Sequence, residues 1–426
     1  MPVNEQLPSI RQLAQDLHVS RNTTLTAYEQ LAAEGYIYGE GRKGYFVNEL
    51  EPHLFSNETL VTPCQSLQRT YTVDFRAGAV DQQHFPLKIW RRLSNAVLTS
   101  SEVFHYGEPF GEMSLREQIA NYLFTSRGVK TTPQAIIIGS STQQMLIQLG
   151  QLLKEQFKSI IVENPGFDGA REAFSFHQLA FETLSVHENG TDLSQLNAMQ
   201  SRLIYVTPSH QSPIGVSLTI QERQKLIQWV NERNGYIIED DYDSEFRYTQ
   251  QPFPALASID AAKVIYLGNF SKSFLPGIRL SYMALPQDLL ALYTKQFQHF
   301  ESSVSLISQL TMAKFMEEGE WHRHLKRMRL VYKRKMQYLV SALQRVFKDS
   351  ITIIGEQSGL YVLVKVHFNQ SEDWLVQRAA DFSVKVYPSS IYYLNNQPAE
   401  PLIKLGFGQL SCEEIELGVE LLKKAW

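Results

Sequence analysis

VIYLGNFSKSFLPGIRLSY, residues 264–282, opens on an apolar run of strand length, Val264–Leu267, and carries a lysine and an arginine just beyond it, Lys272 and Arg279. A lysine near the end of a buried strand is unusual. Desolvation there lowers its pKa and suits it to act as a Schiff-base nucleophile. Arg279 has the planar fork that holds a phosphate bidentately. Taken singly, each is equally well read as a solvated loop residue. The run belongs to a series, however: Ala135–Ile138, Ser159–Val162, Leu203–Val206 and Tyr236–Ile238 have the same length and character, and helical stretches such as Met145–Leu153 and Glu222–Asn231 separate several of them. Continuous rather than alternating hydrophobicity means strands covered on both faces, hence a mostly parallel sheet in an α/β domain. Ligands of such sheets bind beyond the carboxyl ends of the strands.

The residues just after the other runs carry the same kind of information. Gly139-Ser140-Ser141-Thr142 opens a helix, and small hydroxyl residues at a helix N-terminus make a phosphate cradle, although strand-Gly-Ser-helix turns are common without one. Asn164-Pro165-Gly166-Phe167 puts an aromatic at the sheet edge, able to stack on a planar ring or simply to pack. Asp240-Asp241-Tyr242 ends the run Tyr236–Ile238, and a carboxylate at a buried strand end wants a cation, either a side chain or a protonated ring nitrogen. Cradle, aromatic, carboxylate, lysine and arginine, in this order, are the parts a pyridoxal phosphate site requires.

Over about residues 73–426 the sequence resembles the fold-type-I aminotransferases, through GSSTQQML, VENPGFDGAR, VTPSHQSPIG, EDDYDSEFRY and GNFSKSFLPGIRLSY in order. The resemblance implies pyridoxal 5'-phosphate as cofactor, with Lys272 as the Schiff-base lysine and Asp240 as partner of the pyridine nitrogen. It implies Tyr242 as donor to the ring hydroxyl oxygen, Phe167 as the stacking side chain, and Ser141, Thr142, Ser271 and Arg279 around the phosphate. Tyr106, in HYGEPFG, matches a tyrosine that reaches the phosphate across a dimer interface, so a homodimer is implied. Two departures stand out. Ser212 precedes Pro213 where these enzymes usually have Asn. Lys404, in IKLGFG, stands where an arginine commonly receives the substrate carboxylate. Lysine is a point charge without the planar fork, which weighs against efficient amino-acid transamination and marks Lys404 as an effector-binding residue.

The first fifty residues read differently. Ser9 caps a helix carrying Ile10, Leu13 and Leu17, and Ser20 caps a second with Thr24, Tyr28 and Leu31 on one face. Gly35 stops it, and Tyr36–Tyr38 and Tyr45–Val47 read as two strands around a turn with Arg42 and Lys43 at its tip. These are the parts of a winged helix-turn-helix, with Arg21, Asn22, Thr23 and Thr26 on the outward face at the helix N-terminus. The segment LPSIRQLAQDLHVSRNTTLTAYEQLAAEGYIYGEGRKGYFV is similar, nearly end to end, to the DNA-binding domain of the GntR regulators. That likeness implies DNA contacts from Ser9, Arg11, Ser20, Arg21, Asn22 and Thr23. Joined to an aminotransferase-like body, it resembles the MocR (GabR-like) subfamily. GntR domains begin with a helix before LPS, and Met1–Gln6 is too short to build one. The expectation is therefore a reader shortened at its N-terminus, with Leu13, Leu17, Tyr28 and Leu31 only partly covered.

Composition bounds the alternatives. The chain has 426 residues, 43% of them hydrophobic and 20% charged, with a net charge of −4. That is ample material for a large core, and it excludes a chain that coats nucleic acid or anionic membrane as a whole. The basic residues of the first fifty (Arg11, Arg21, Arg42, Lys43) are outnumbered by acids, so any DNA footprint is local. Cys64 and Cys412 have neither disulfide nor metal spacing, there is no signal peptide and no membrane-length apolar run, and the simple reading is cytoplasmic. The expected organisation is a winged helix-turn-helix at 1–47 and a linker at 48–72. An aminotransferase-like α/β domain follows at 73–426, its large part at about 115–300 and a small C-terminal α+β part at about 301–426. The expected function is a pyridoxal-phosphate-dependent transcriptional regulator sensing an amine, an amino acid or the cofactor itself. The rival is an active aminotransferase with a vestigial reader, and a third reading is a dimeric scaffold that binds no cofactor.

Overall fold

The computed structural model describes residues 2–49, 69–248, 253–367, 369–394 and 400–426. Cys64 and most of the expected linker, 48–72, lie outside the described residues. The chain divides into two units, Met1–Arg69 and Thr70–Trp426.

In the first unit the Ser9 hydroxyl accepts from the Gln12 N–H at 3.1 Å and starts α1 (Ile10–Asp16). Ser20 does the same for Thr23 N–H at 3.1 Å and starts α2 (Arg21–Ala33). Both satisfy orphan N–H groups of a first turn. Gly35, at φ +79, takes the left-handed step that ends α2 and turns the chain into a hairpin. The hairpin pairs β1 (Ile37–Glu40) with β2 (Gly44–Val47). Tyr28 is buried between helices and wing, its hydroxyl donating to the Pro8 carbonyl at 2.8 Å. Leu17 is 60% exposed, whereas Tyr28 is 2% exposed. The N-terminal residues do something the sequence reading missed. Asn4 N–H donates to Val47 O, Val47 N–H to Glu5 O and Leu7 N–H to Tyr45 O, so this segment pairs along the edge of β2.

The second unit opens with β3 (Val73–Asp74). Its large sheet contains β4 (Ile136–Gly139), β5 (Ser159–Asn164), β6 (Ala180–His187), β7 (Gly190–Thr191), β8 (Leu203–Val206), β9 (Tyr236–Asp240), β10 (Val264–Asn269) and β11 (Ser281–Ala284). They lie in the order β4-β11-β10-β9-β8-β5-β6-β7. From β10 through β6 all neighbours are parallel, while β11 runs antiparallel between β4 and β10 and β7 antiparallel to β6. Side chains alternate between two cores: Ile204, Val206, Ile237 and Tyr266 enter one, and Leu203, Tyr205, Ile238 and Leu267 the other. That is why these runs are apolar throughout. The parallel strands end on one edge of the sheet, and antiparallel β11 starts there, so Gly139, Asn269 and Ser281 lie side by side in register.

A smaller antiparallel sheet is built from β12 (Ile351–Ile354), β13 (Tyr361–Val366), β15 (Tyr387–Pro388) and β16 (Leu402–Gly406), ordered β12-β13-β16-β15. β3 pairs in parallel with β14 (Val384–Lys385). Val73 and Phe75 thus share a core with the long helix Glu320–Phe347 and β13, and the small part takes in the start of the body as well as its end. Among the described residues no helix is long and apolar enough to cross a membrane.

Candidate active site

Strand ends and the small sheet enclose a cavity of about 330 Å³ lined by Ser141, Thr142, Phe167, Asp240, Tyr242, Ser271, Lys272, Arg279 and Lys404, among others. Eight residues expected to hold a cofactor, Lys272 included, are therefore brought together with Lys404. Tyr106, the ninth, is not: it is 91% exposed and lies outside this cavity in its own chain.

Lys272 sits on a turn held at both ends by buried phenylalanines. Phe274 N–H donates to Phe270 O at 2.9 Å, and both rings pack on Trp321. The anchoring aims the lysine into the cavity, where burial pushes its ammonium down while Asp243 and Asp240 pull it up; the net direction is down. Gly78 closes over it. At φ +85, a Cβ on Gly78 would fall 1.6 Å from Lys272 Nζ, so no larger side chain is accommodated beside that amine. At the N-terminus of the helix Thr142–Leu153, Ser141 is the N-cap, its hydroxyl accepting from Gln144 N–H at 3.1 Å. Arg279 reaches the same cavity from a left-handed backbone, φ +51, at the turn into β11. For a residue with a Cβ that conformation costs roughly 1–2 kcal/mol.

The two aspartates at the end of β9 part ways because side chains alternate along a strand. Asp241 turns to one face, where Arg127 Nε donates to it at 2.7 Å and the Tyr266 hydroxyl at 2.5 Å. Burial pushes its carboxyl up, but Arg127 and Tyr266 outweigh that and hold it low. Asp240 turns to the other face. Its Oδ2 accepts from the Tyr205 hydroxyl at 2.6 Å, whereas Oδ1 is buried without a partner among the described residues. Burial pushes this carboxyl up to about 7, against the Tyr205 bond and Lys272. A buried oxygen with no donor is costly, and a protonated ring nitrogen would relieve it.

Lys404 is buried too, its Nζ 3.9 Å from the Tyr361 ring centre, 4.6 Å from that of Tyr392, and 3.2 Å from the Tyr392 hydroxyl. Burial, and then Lys272, push it down to about 7. Burial thus weakens the hold of Lys404 on the proton that makes it a point charge.

Sequence reasoning gave no role to Tyr205, His210, Asp243, Tyr361 or Tyr392. His210 and Asp243 are both buried, with His210 Nδ1 2.9 and 2.8 Å from the two Asp243 oxygens. The available signal was three acids within four residues, Asp240, Asp241 and Asp243, each needing its own partner.

In the first unit Arg21, Asn22 and Thr23 are exposed on the first turn of α2. Arg11 and Arg21 line one concavity with His18. Ser9 and Ser20 spend their hydroxyls on capping, Ser20 also bonding the Thr23 hydroxyl at 2.8 Å. Arg42 and Lys43 stand at the hairpin tip, apart from that concavity, and Lys43 pairs with Glu40 at 2.9 Å. Among the described residues no cluster of His, Cys, Asp and Glu could hold a metal ion.

The residues fit pyridoxal phosphate. A hydroxyl-lined helix start and Arg279 suit the phosphate, the lone Asp240 oxygen suits a protonated ring nitrogen, and Lys272 has the low-lying amine needed for covalent attachment. Residues 72–420 match the family model of aminotransferase class I and II, and residues 1–47 match that of the bacterial regulatory proteins of the gntR family. The chain is 39% identical to the HTH-type transcriptional regulator YdeL of Bacillus subtilis over 427 residues, covering 99% of this chain and 92% of that one. It is 29% identical over 445 residues to the probable rhizopine catabolism regulatory protein MocR of Rhizobium meliloti, covering all of this chain and 90% of that protein. Among solved structures, the α-aminoadipate aminotransferase LysN of Thermus thermophilus, complexed with N-(5'-phosphopyridoxyl)-L-leucine, superposes with a TM-score of 0.76 at 26% identity. The match covers 84% of this chain and 92% of that one.

Proposed function

The chain belongs to the HTH-type transcriptional regulators that join a gntR-family reader to an aminotransferase class I and II body, and from that premise we propose that an amine or amino acid entering the Lys272 cavity controls how the reader engages its operator. Pyridoxal phosphate is the cofactor of the body, and DNA is the partner of the reader. One observation carries the reading: a single chain holds both an exposed Arg21-Asn22 helix start and a cavity in which Lys272 shares space with an unpartnered Asp240 oxygen.

When bound, the cofactor supplies an electron-poor ring that draws electrons from an attached amine. The chain's own residues do the rest. Ser141, Thr142, Ser271 and Arg279 would hold the phosphate. Phe167 would pack on the ring, and Asp240 would keep its nitrogen protonated. Lys272 offers the attachment point, and Lys404 receives the effector's anionic group. The regulator works as a homodimer in the cytoplasm, and the exposure of Tyr106 fits a side chain awaiting a second protomer. An effector shifts DNA binding only through a difference in its affinity for two arrangements of that dimer.

The deciding experiment is titration of a labelled operator fragment with holoprotein, with and without candidate amines. Operator affinity unchanged by every amine, together with sustained amino-group turnover, would restore the aminotransferase reading. In the same assay Arg21→Ala or Asn22→Ala should cost about 1–3 kcal/mol of operator affinity and leave the cofactor spectrum as it was. Equal losses on random DNA would reduce both residues to phosphate contacts.

Lys404→Arg should raise affinity for carboxylate-bearing amines several-fold, and the gain should grow with pH. Burial holds Lys404 below the usual lysine range, so it loses its proton as pH rises where an arginine does not, and parental affinity should fall there. An arginine keeps both charge and fork, and its affinity should stay level. Parallel pH profiles for parent and variant would show that the carboxylate is anchored elsewhere.

A further inference from the structure

We propose that His210 and Asp243 form a positioning pair that fixes the Tyr242 hydroxyl as a hydrogen-bond donor into the cofactor cavity, where the ring oxygen of pyridoxal phosphate receives it. The inference rests on the reading of the cavity as a pyridoxal phosphate site.

Three observations carry it. The first is proton bookkeeping. An ionised carboxylate can only accept, so His210 Nδ1, within 2.9 Å of both Asp243 oxygens, carries the proton and donates it there. Tyr242 Oη lies 3.1 Å from the same nitrogen. With Nδ1 already protonated, it cannot accept from Tyr242, so the tyrosine keeps its own proton for another acceptor. Tyr361 Oη, 3.3 Å away, gives its own proton to the Pro213 carbonyl at 3.1 Å and so can accept from Tyr242, but at that length the Tyr242–Tyr361 bond is weak. An acceptor that entered the cavity lined by Tyr242 at ordinary hydrogen-bond distance would take the Tyr242 proton from this long bond.

The second observation is that the imidazole is clamped. Its ring lies 5.7 Å from that of Tyr242 at 29° and 5.4 Å from that of Tyr361 at 32°. Gly359, at φ +78, passes so close that a Cβ would sit 2.1 Å from His210 Cε1. Gly215, at φ +86, would bring one within 3.3 Å of Nε2. The third is a cost borne for this arrangement: Nε2 is buried with no partner among the described residues. A buried polar atom left unpaired asks for a reason, and fixing the tautomer at Nδ1 supplies one. Ser212 sharpens the need. It stands where an asparagine amide often precedes the proline, and it leaves Tyr242 as the donor whose aim matters most.

The test uses the full-length holoprotein and pyridoxal 5'-phosphate as probe. His210→Phe keeps a ring between the two tyrosines and removes the nitrogen. It should weaken cofactor affinity about tenfold, near 1.4 kcal/mol, and change the ratio of the near-ultraviolet to the visible cofactor band. His210→Asn restores a donor near the place of Nδ1 and should recover most of the parental ratio. In a Tyr242→Phe background the His210→Phe change should add nothing, because the pair acts through that hydroxyl. If the Phe variant does not fold, His210→Leu is read in its place, again with and without Tyr242→Phe. Parental affinity and band ratio in the variant, or the same loss in both backgrounds, overturns the proposal and leaves His210 a packing residue. Failure of the underlying reading looks different: the parental protein itself would then give no borohydride-reducible adduct with the probe.

Discussion

Lys272→Ala should lose covalent cofactor attachment altogether, so that borohydride reduction of the pyridoxal-phosphate-loaded variant yields no modified lysine. The chemistry is favoured by an amine that gives up its proton more readily than an ordinary lysine, and burial pushes Lys272 in that direction. The cavity contains a second amine, however. Lys404 lies low as well, at about 7, and Lys272 is one of the causes. Removing Lys272 removes that repulsion, so Lys404 should rise, though burial, the larger cause, remains, and the Phe270–Phe274 turn no longer presents an amine to the cavity. The alanine variant should therefore bind the cofactor only reversibly and release it on gel filtration, while operator binding by the free protein is retained. Peptide mapping after reduction reads the outcome. A modified Lys404 or any other modified lysine from this cavity in the alanine variant would sink the assignment of Lys272.

What the sequence made legible follows from the geometry of parallel sheets. Runs such as Leu203–Val206 and Val264–Leu267 are apolar throughout because both faces are covered, and the chemistry sits just beyond their ends. Ser141, Phe167, Asp240 and Lys272 could be found by that rule alone. The capped helices of the reader were equally readable, since Ser9 and Ser20 signal their helix starts locally. Tyr205 could not be found this way. It reads as one more apolar residue inside a strand, and its hydroxyl matters only because β8 lies beside β9 and the alternation brings Tyr205 to the face of Asp240. His210, Asp243 and Tyr361 come from three separate segments, and only the fold packs them together. The same limit hid the N-terminal segment. Asn4–Leu7 has no strand pattern, and its pairing with β2 is made by backbone groups to which the sequence gives no clue.

Asp240→Asn should change the stability of the cofactor-free protein and its cofactor affinity in opposite directions. Without cofactor, the carboxyl has one oxygen on Tyr205, the other unpartnered, and a pKa pushed up to about 7 by burial. An unfolded aspartate titrates near the ordinary value of 3.8. Between roughly pH 4 and 7 the folded state thus binds the proton more tightly than the unfolded chain, and folding stability falls as pH rises through that window. Each tenfold difference in proton affinity between the two states is worth about 1.4 kcal/mol. Asparagine has no charge to bury and still offers an oxygen to Tyr205, so the cofactor-free variant should be the more stable of the two at pH 7, with the difference shrinking toward pH 4. Glu245, also pushed up to about 7 by burial, is common to both proteins and cancels, whereas Glu163, pushed up to about 7 by burial and in part by Asp240, is relieved in the variant, which adds to the gain at pH 7. With cofactor the order reverses. A protonated ring nitrogen is the donor the lone oxygen lacks, and a hydrogen bond to a charged group is worth about 1.5–3 kcal/mol, so affinity should fall roughly 10- to 150-fold. Melting curves with and without pyridoxal phosphate at pH 4.5 and 7, beside a cofactor titration, measure all of this. A variant less stable than the parent in both forms would mean that Asp240 is paired before the cofactor arrives. Unchanged affinity would remove it from the ring nitrogen, and with Asp241 committed to Arg127 on the opposite face and Glu239 to the Leu256 and Ala257 N–H groups, neither adjacent carboxylate could take its place.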